Sequence, residues 1–240
     1  MKQPRFYREW VKSDLVGFTT RDCQTDIFVS AEKDLKNESR ELVRRYRNDI
    51  ISYIKTKPEF EKSLTPLPAD DKAPDIIRAM LKASTLAGVG PMAAVAGAIA
   101  EFVGKGLLQF TGQVILENGG DIFIKTNTER KIGIYAGNSP LSGRIAIKVN
   151  PEVTPVGICT SSGTVGHSLS FGNADAVCVM AKEASLADAC ATACCNKVKT
   201  EREIEEALDF AKSVEGIIGA MVIYKDKVGS IGNIELMRGA

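Results

Sequence analysis

From Leu86 to Val103 the chain runs through eighteen Ala- and Gly-rich, largely apolar residues, and Glu101 is the sole charge among them. A helix that is apolar on every face has to be covered on every face. Such a run therefore has two outcomes, a membrane span or the centre of a globular core. A span wants about 20 strongly apolar residues. Alanine contributes little to insertion, and Gly88, Gly90 and Pro91 interrupt the run. The expectation is a buried helix over roughly 91–110, with Pro91 at its first position, where a missing N–H costs nothing, and no membrane partner. The rest of the chain agrees, with 44% apolar and 25% charged residues, the balance of a globular protein rather than a disordered one. A net charge of +1 lacks the basic excess that nucleic-acid binding requires.

On either side of this helix the periodicity changes. RFYREWV, LVGFTT and TDIFVS alternate like strands, with turns at Lys12–Asp14 and Arg21–Cys23. From about Asp34 to Lys55, Leu42, Val43, Tyr46, Ile50 and Ile54 recur at helical spacing. Pro58, Pro66 and Pro68 make 58–73 a loop and a candidate sub-domain seam within one domain spanning 1–240. Pro74 opens a helix whose stripe is Ile76, Ile77, Met80, Leu81 and Ser84. Beyond residue 110, VILENGGDIFI, KIGIYAG, RIAIKVN, VGICTSSG and ADAVCVMA read as strands. Helices follow from Ser185 to about Asn196 and from Thr200 to Val214, the latter with Thr200 and Glu203 spaced as a capping box. A strand pair closes the chain. Strands outside and helices in the middle predict an α+β fold, an antiparallel-rich sheet packed on central Ala/Gly-rich helices. Some strands would leave exposed edges, so a homo-oligomer is expected.

Four segments carry candidate chemistry. Gly88-Val89-Gly90-Pro91-Met92 precedes a helix start, where Gly88, Gly90 and Met92 could let backbone N–H groups meet a phosphate. Taken alone, these residues favour a tight turn. Glu117-Asn118-Gly119-Gly120-Asp121 is a ligand-holding turn or a bulge. Thr160-Ser161-Ser162-Gly163-Thr164 is rich in hydroxyls and leads to His167, the only imidazole of the chain. His167 is thus the one side chain whose ordinary pKa suits acid–base work near neutrality, with a flexible surface turn as the level alternative. Asp188 and Thr192 stand four residues apart in a helical run and share a face. A carboxylate with a hydroxyl suits Mg²⁺ completed by water and phosphate. On spacing alone, a helix cap by Ser185 and Asp188 leads.

The six cysteines form no C-x-x-C pair, and MKQPRFYREW has no apolar core of a signal peptide. Reduced thiols in a cytoplasmic protein follow. Cys190 and Cys194 lie roughly opposite Asp188, whereas Cys195 returns to its face. A thiolate or Fe–S site is conceivable from these three, and small thiols packing a helix explain them more simply.

Taken together, ENGGDI, TSSGTVGH and ADACATA, in that order, resemble the ApbE-like superfamily, whose best-known members are FAD:protein FMN transferases. The corresponding family blocks are a G-G-D-I turn, a T-S-G loop leading to a His, and an A-D-A-x-A-T-A helix. The motifs cover about residues 115–195, and AGVGPMAAVAGAIAEFVG suggests a short branch of the superfamily. The resemblance implies an α+β fold holding a flavin nucleotide, FAD or FMN, with Mg²⁺. It implies Asp188 and Thr192 as metal holders, Thr160, Ser161 and Gly163 as the T-S-G loop, Asn118–Asp121 as the G-G-D-I turn, and His167 as the family His. His167 is followed here by Ser-Leu-Ser-Phe-Gly instead of I-x-D-P and T-G, and Gly88–Pro91 with the Ala-rich helix replaces D-x-G-G-I-A-K-G. The resemblance therefore carries the metal-holding half further than protein flavinylation. The resulting expectation is Mg²⁺-dependent binding, transfer or hydrolysis of a phosphorylated small molecule such as a flavin or another nucleotide. A cofactor carrier or sensor without chemistry is the alternative, and a cysteine-based redox or cluster protein is a third reading.

Overall fold

A computed structural model describes residues 14–165 and 170–239. The expected first strand, RFYREWV, and His167 lie outside the described residues. The chain then forms a hairpin of β1 (Val16–Asp22) and β2 (Thr25–Ala31), with Cys23 in the left-handed region at the turn. Helix α1 (Lys36–Thr56) follows, and its stripe of Leu42, Val43, Tyr46, Ile50 and Ile54 packs into the core as its spacing predicts. Within 58–73 a short helix, α2 (Glu59–Lys62), interrupts the expected loop. Phe60 anchors it, fully buried and edge-on to Tyr53.

Helix α3 (Asp75–Ala87) buries the predicted Ile76, Ile77, Met80, Leu81 and Ser84. The helix expected over 91–110 is shorter and divided. Pro91–Ala94 form a 3-10 turn, and α4 runs from Val95 to Leu107. Gly90 has extended backbone just before Pro91, so the chain enters at a sharp angle, and α3 and the Pro91–Leu107 segment are bent by 107°. No single helix among the described residues is long and apolar enough to cross a membrane, although this bent pair passes on length and composition together. Most of α4, including Gly97, Ala98, Ala100, Glu101 and Val103, is buried inside the protein.

The remaining elements are β3 (Val114–Asn118), β4 (Asp121–Lys125), β5 (Arg130–Gly133), β6 (Ile145–Val149), β7 (Val156–Ser161), β8 (Ala176–Ala181), α5 (Ala184–Lys197), α6 (Ile204–Ser213), β9 (Ile217–Tyr224), β10 (Lys227–Gly232) and β11 (Glu235–Arg238). Eight strands form one sheet in the order β1-β2-β3-β4-β7-β8-β9-β10, antiparallel at every pairing. The predicted closing pair is in fact three strands. Gly232 takes a positive φ, and β11 leaves the main sheet to pair with β6 in a small sheet ordered β11-β6-β5. Alternation then builds two cores. Val177 and Val179 face the helices, while Ala176, Cys178 and Met180 face the small sheet with Ile134, Ile147 and Val149. The result is three layers, helices, large sheet and small sheet, in the expected α+β class.

Candidate functional site

Helix α5 is the centre of the site. From Ala184 to Asn196 every residue is buried except Asp188, Thr192 and Asn196. These three stand at i, i+4 and i+8, so they form one stripe. The open strip of these buried turns is thus carboxylate, hydroxyl and amide, with Lys197 partly open at the helix end.

Two glycines explain how the helix can lie so deep. A Cβ on Gly97 of α4 would stand 2.3 Å from the Ala184 carbonyl oxygen and 2.7 Å from Cβ of Asp188. One on Gly157 of β7 would stand 2.2 Å from Cα of Ala184. The start of α5 is therefore wedged between α4 and the sheet. The predicted Ser185 cap does not form. Glu183 occupies the cap position without a side-chain bond, and Ser185 is buried, its N–H and hydroxyl each donating to Oε2 of Glu101 at 3.1 Å. Glu101, only 2% exposed and paired through Oε1 with Lys105 at 2.5 Å, caps α5 from a neighbouring helix. Glu101 was visible in the sequence as the one charge of the apolar run, but its partner lies 84 residues away.

With Ser185 engaged elsewhere, Asp188 is left for other work. Its Oδ2 accepts the N–H of Gly97 at 2.8 Å, in the first turn of α4. Burial, and then the nearby charge of Asp121, push its carboxyl well above the usual carboxylate range, against the N–H groups of Gly97 and Ala96, which hold it down. Thr192 makes no side-chain hydrogen bond among the described residues, to the carbonyl of residue 188 or elsewhere.

The β3–β4 turn approaches from the sheet. Gly119 and Gly120 take positive φ, which the tight reversal requires, and Asn118 pairs with Asp121 across it. Asn118 Nδ2 donates to the carbonyl of Ala96 at 3.0 Å, tying the turn to the start of α4. Asp121 Oδ1 accepts the N–H of Thr160 at 3.3 Å, tying it to β7. Cys159 reports the same convergence: burial raises its thiol pKa furthest, followed by the charges of Asp121 and Asp188. Asn118, Asp121, Thr160 and Asp188 thus gather around the first turn of α4, with Thr192 one turn further along α5. Ala96 and Gly97, which hold two of them, carried no side-chain signal in the sequence beyond their small size.

The loop after β7 is largely bonded to itself. Ser162 Oγ accepts the N–H of Thr164 at 3.1 Å and that of Val165 at 2.9 Å. The Gly163 N–H donates to Ala174, and Thr164 Oγ1 donates to Asp175. Ser161 is buried beside the thiol of Cys195. Gly88 and Gly90 have structural duties. Gly88 is the left-handed cap of α3, and a Cβ on Gly90 would lie 1.8 Å from the Ser63 carbonyl oxygen. Met92 packs against the core. No hydrogen bond among the described residues joins Gly88 or Gly90 to the Asp188 group.

Five of the six cysteines are buried and all are free. Cys159 donates to the carbonyl of Ala184 and Cys194 to that of Ala207, each at 3.3 Å. Burial also pushes the Cys178 thiol up to about 12. Among the described residues no group of three His, Cys, Asp or Glu side chains is arranged to hold a metal by itself. The thiolate-cluster reading loses its basis there. The donor set suits an ion that keeps waters and takes phosphate oxygens, and one or two carboxylates with a hydroxyl are what Mg²⁺ asks of a protein.

Comparison with known proteins places this architecture. A family model described as "AbpE bacteria" matches residues 8–236. The UPF0280 protein of Methanococcus aeolicus is 43% identical over 220 residues, 89% of each chain, and that of Methanosarcina acetivorans 37% over 214 residues, 88% of this chain and 84% of the other. Among solved structures, the flavin transferase ApbE from Vibrio cholerae superposes with a TM-score of 0.57 at 12% identity, covering 95% of this chain and 98% of that one. The ApbE protein from Thermotoga maritima does so with 0.56 at 12% identity, covering 90% and 96%. The two solved structures share the fold, and the chain belongs to the ApbE-like family, in its UPF0280 branch.

Proposed function

We propose that the chain binds a phosphorylated small molecule of the nucleotide class, a flavin nucleotide first among them, through Mg²⁺ held at Asp188 and Thr192. The observation that carries this reading is the open stripe of α5: three polar side chains on a helix otherwise buried from Ala184 to Cys195, with a second carboxylate, Asp121, close enough to raise the pKa of the first. Two carboxylates without a cation repel each other, and a divalent ion between them removes that cost. Mg²⁺ would neutralise phosphate charge and polarise a phosphoryl oxygen. Asp188 would supply a charged oxygen and Thr192 a neutral one. Asn118 and Asp121 orient the sheet side of the site through Ala96 and Thr160. Thr160 to Thr164 would line its rim. The flavin transferase ApbE from Vibrio cholerae, which shares the fold, supports a flavin nucleotide as the first ligand to try.

His167, the sole imidazole, is the residue we assign to proton transfer at the reacting group. A carrier without chemistry would keep its ligand after His167→Ala and have no turnover to lose.

The test is thermal stabilisation by FAD, FMN and ATP, each with and without Mg²⁺. The reading expects Mg²⁺-dependent stabilisation of the native chain, lost in Asp188→Ala while the ligand-free variant stays folded. Equal loss of stability with and without ligand would return Asp188 to a purely structural role.

A further inference from the structure

The α5 stripe has a second end. Asn196 lies two turns beyond Asp188, about 12 Å along the axis at 1.5 Å per residue. Its Oδ1 accepts the backbone N–H of Phe171 at 2.8 Å, with the Ser170 hydroxyl also near it at 3.4 Å. The Phe171 carbonyl accepts a hydrogen bond from Lys199. Gly172 is pressed onto the end of α5, where a Cβ would stand 1.6 Å from the Cys195 carbonyl oxygen. The backbone around Phe171 is therefore fixed on both sides, yet the residue is 52% exposed. Folding leaves this residue half open, although its main chain is held by two polar contacts, one at its N–H and one at its carbonyl.

The main chain that carries the ring also touches the candidate site. A Cβ on Gly163, in the hydroxyl-rich loop, would stand 2.0 Å from the Gly172 carbonyl oxygen, so that loop and the Phe171–Gly172 segment are in direct contact. Polar groups for a metal and phosphate stand at one end of the stripe, and a rigidly mounted exposed aromatic stands at the other. A phosphate joined to a planar ring through a sugar-length linker matches that order. Inorganic phosphate or a sugar phosphate would use only the first end.

We propose that Phe171 is the specificity-determining platform on which the planar ring of the ligand stacks, so that the site selects ring-bearing phosphates over ring-free ones. This rests on the Mg²⁺–phosphate reading above. Stacking of a base on an aromatic side chain corresponds to roughly ten- to a hundredfold in affinity.

The test is calorimetric titration of the full chain, with Mg²⁺, by FAD, FMN and ADP and separately by inorganic pyrophosphate. Phe171→Ala is expected to weaken the three ring-bearing ligands about tenfold or more while leaving pyrophosphate within about twofold. Phe171→Trp should restore them, and Phe171→Leu, apolar but without a π face, should not. The hydrogen bonds at Phe171 use its main chain, so these variants should keep the ligand-free melting temperature. Pyrophosphate binding with no loss of ring-bearing ligands in Phe171→Ala would overturn the platform and leave the phosphate reading standing. Equal weakening of all four ligands would overturn it as well, by reducing Phe171 to packing. A native chain that binds none of the four would overturn both.

Discussion

At the scale of single residues, the account turns on Asp188. Its folded pKa is raised, chiefly by burial, above the ordinary value near 3.8. A carboxyl shifted upward favours folding while it is protonated. That contribution is full below the unfolded pKa and is lost as pH rises through the raised folded value. The ligand-free protein should therefore lose stability as pH rises through this window. Asp188→Asn, whose amide oxygen can still accept the Gly97 N–H, should flatten the dependence and melt higher at neutral pH. A variant that melts lower across the whole pH range would show that the charge is already compensated. Thr192→Val tests the neutral donor. It should leave the ligand-free melting temperature nearly unchanged and weaken Mg²⁺-dependent binding about tenfold, the order of one hydrogen-bonding oxygen to a charged group; an unchanged affinity by titration would remove Thr192 from the site. The i, i+4 pair was legible in the sequence. The failure of the competing cap was not, because it depended on Ser185, whose hydroxyl is committed to Glu101, a contact 84 residues distant that no local pattern encodes.

Elements add what residues alone cannot, the depth at which α5 lies. Gly97 and Gly157 let α4 and β7 close on the first turn of α5, and a methyl at either position has backbone in its way. Gly97→Ala and Gly157→Ala should each cost about 1–3 kcal/mol, the range for an overpacked core. Gly97→Ala should also weaken ligand binding, since the Gly97 N–H holds Asp188. Chemical denaturation and titration of the same samples check both; a stable Gly97→Ala with native affinity would mean that the helices tolerate separation. Away from the site, the capping box at Thr200 and Glu203 forms as its spacing predicts, with the N–H of Thr200 donating to Glu203 Oε2 at 2.6 Å. Thr200→Ala should cost about 1 kcal/mol in denaturation and leave binding unchanged. Helices with a regular apolar stripe, α1 and α3, were readable from periodicity. The limits of α4 were harder to read, since a helix small and apolar on every face gives no periodic signal. The departure of β11 into a second sheet was also illegible, because pairing partners are chosen by tertiary contacts with β6 and not by the strand's own residues.

The whole molecule relates these parts through three layers. The large sheet has a core on each face, one shared with the helices and one with the small sheet. The alternation of side chains along β8 supplies both. The fold class and the family were legible from three short blocks, ENGGDI, TSSGTVGH and ADACATA, of which Asn118, Asp121, Thr160 and Asp188 converge where the sheet faces α4 and α5. What no block could convey is the stripe itself, which exists only because the other residues from Ala184 to Cys195 are covered. The central claim is that this stripe holds a phosphorylated ligand through Mg²⁺. Its most direct test is native mass spectrometry of the purified chain with Mg²⁺ and then with chelator, followed by denaturation to identify the molecule released. The account predicts a flavin or another nucleotide, retained with Mg²⁺ and lost with chelator, and absent from Asp188→Ala. A chain that carries no such molecule and takes up none of FAD, FMN or ATP, or that holds its ligand equally well without divalent metal, would contradict it.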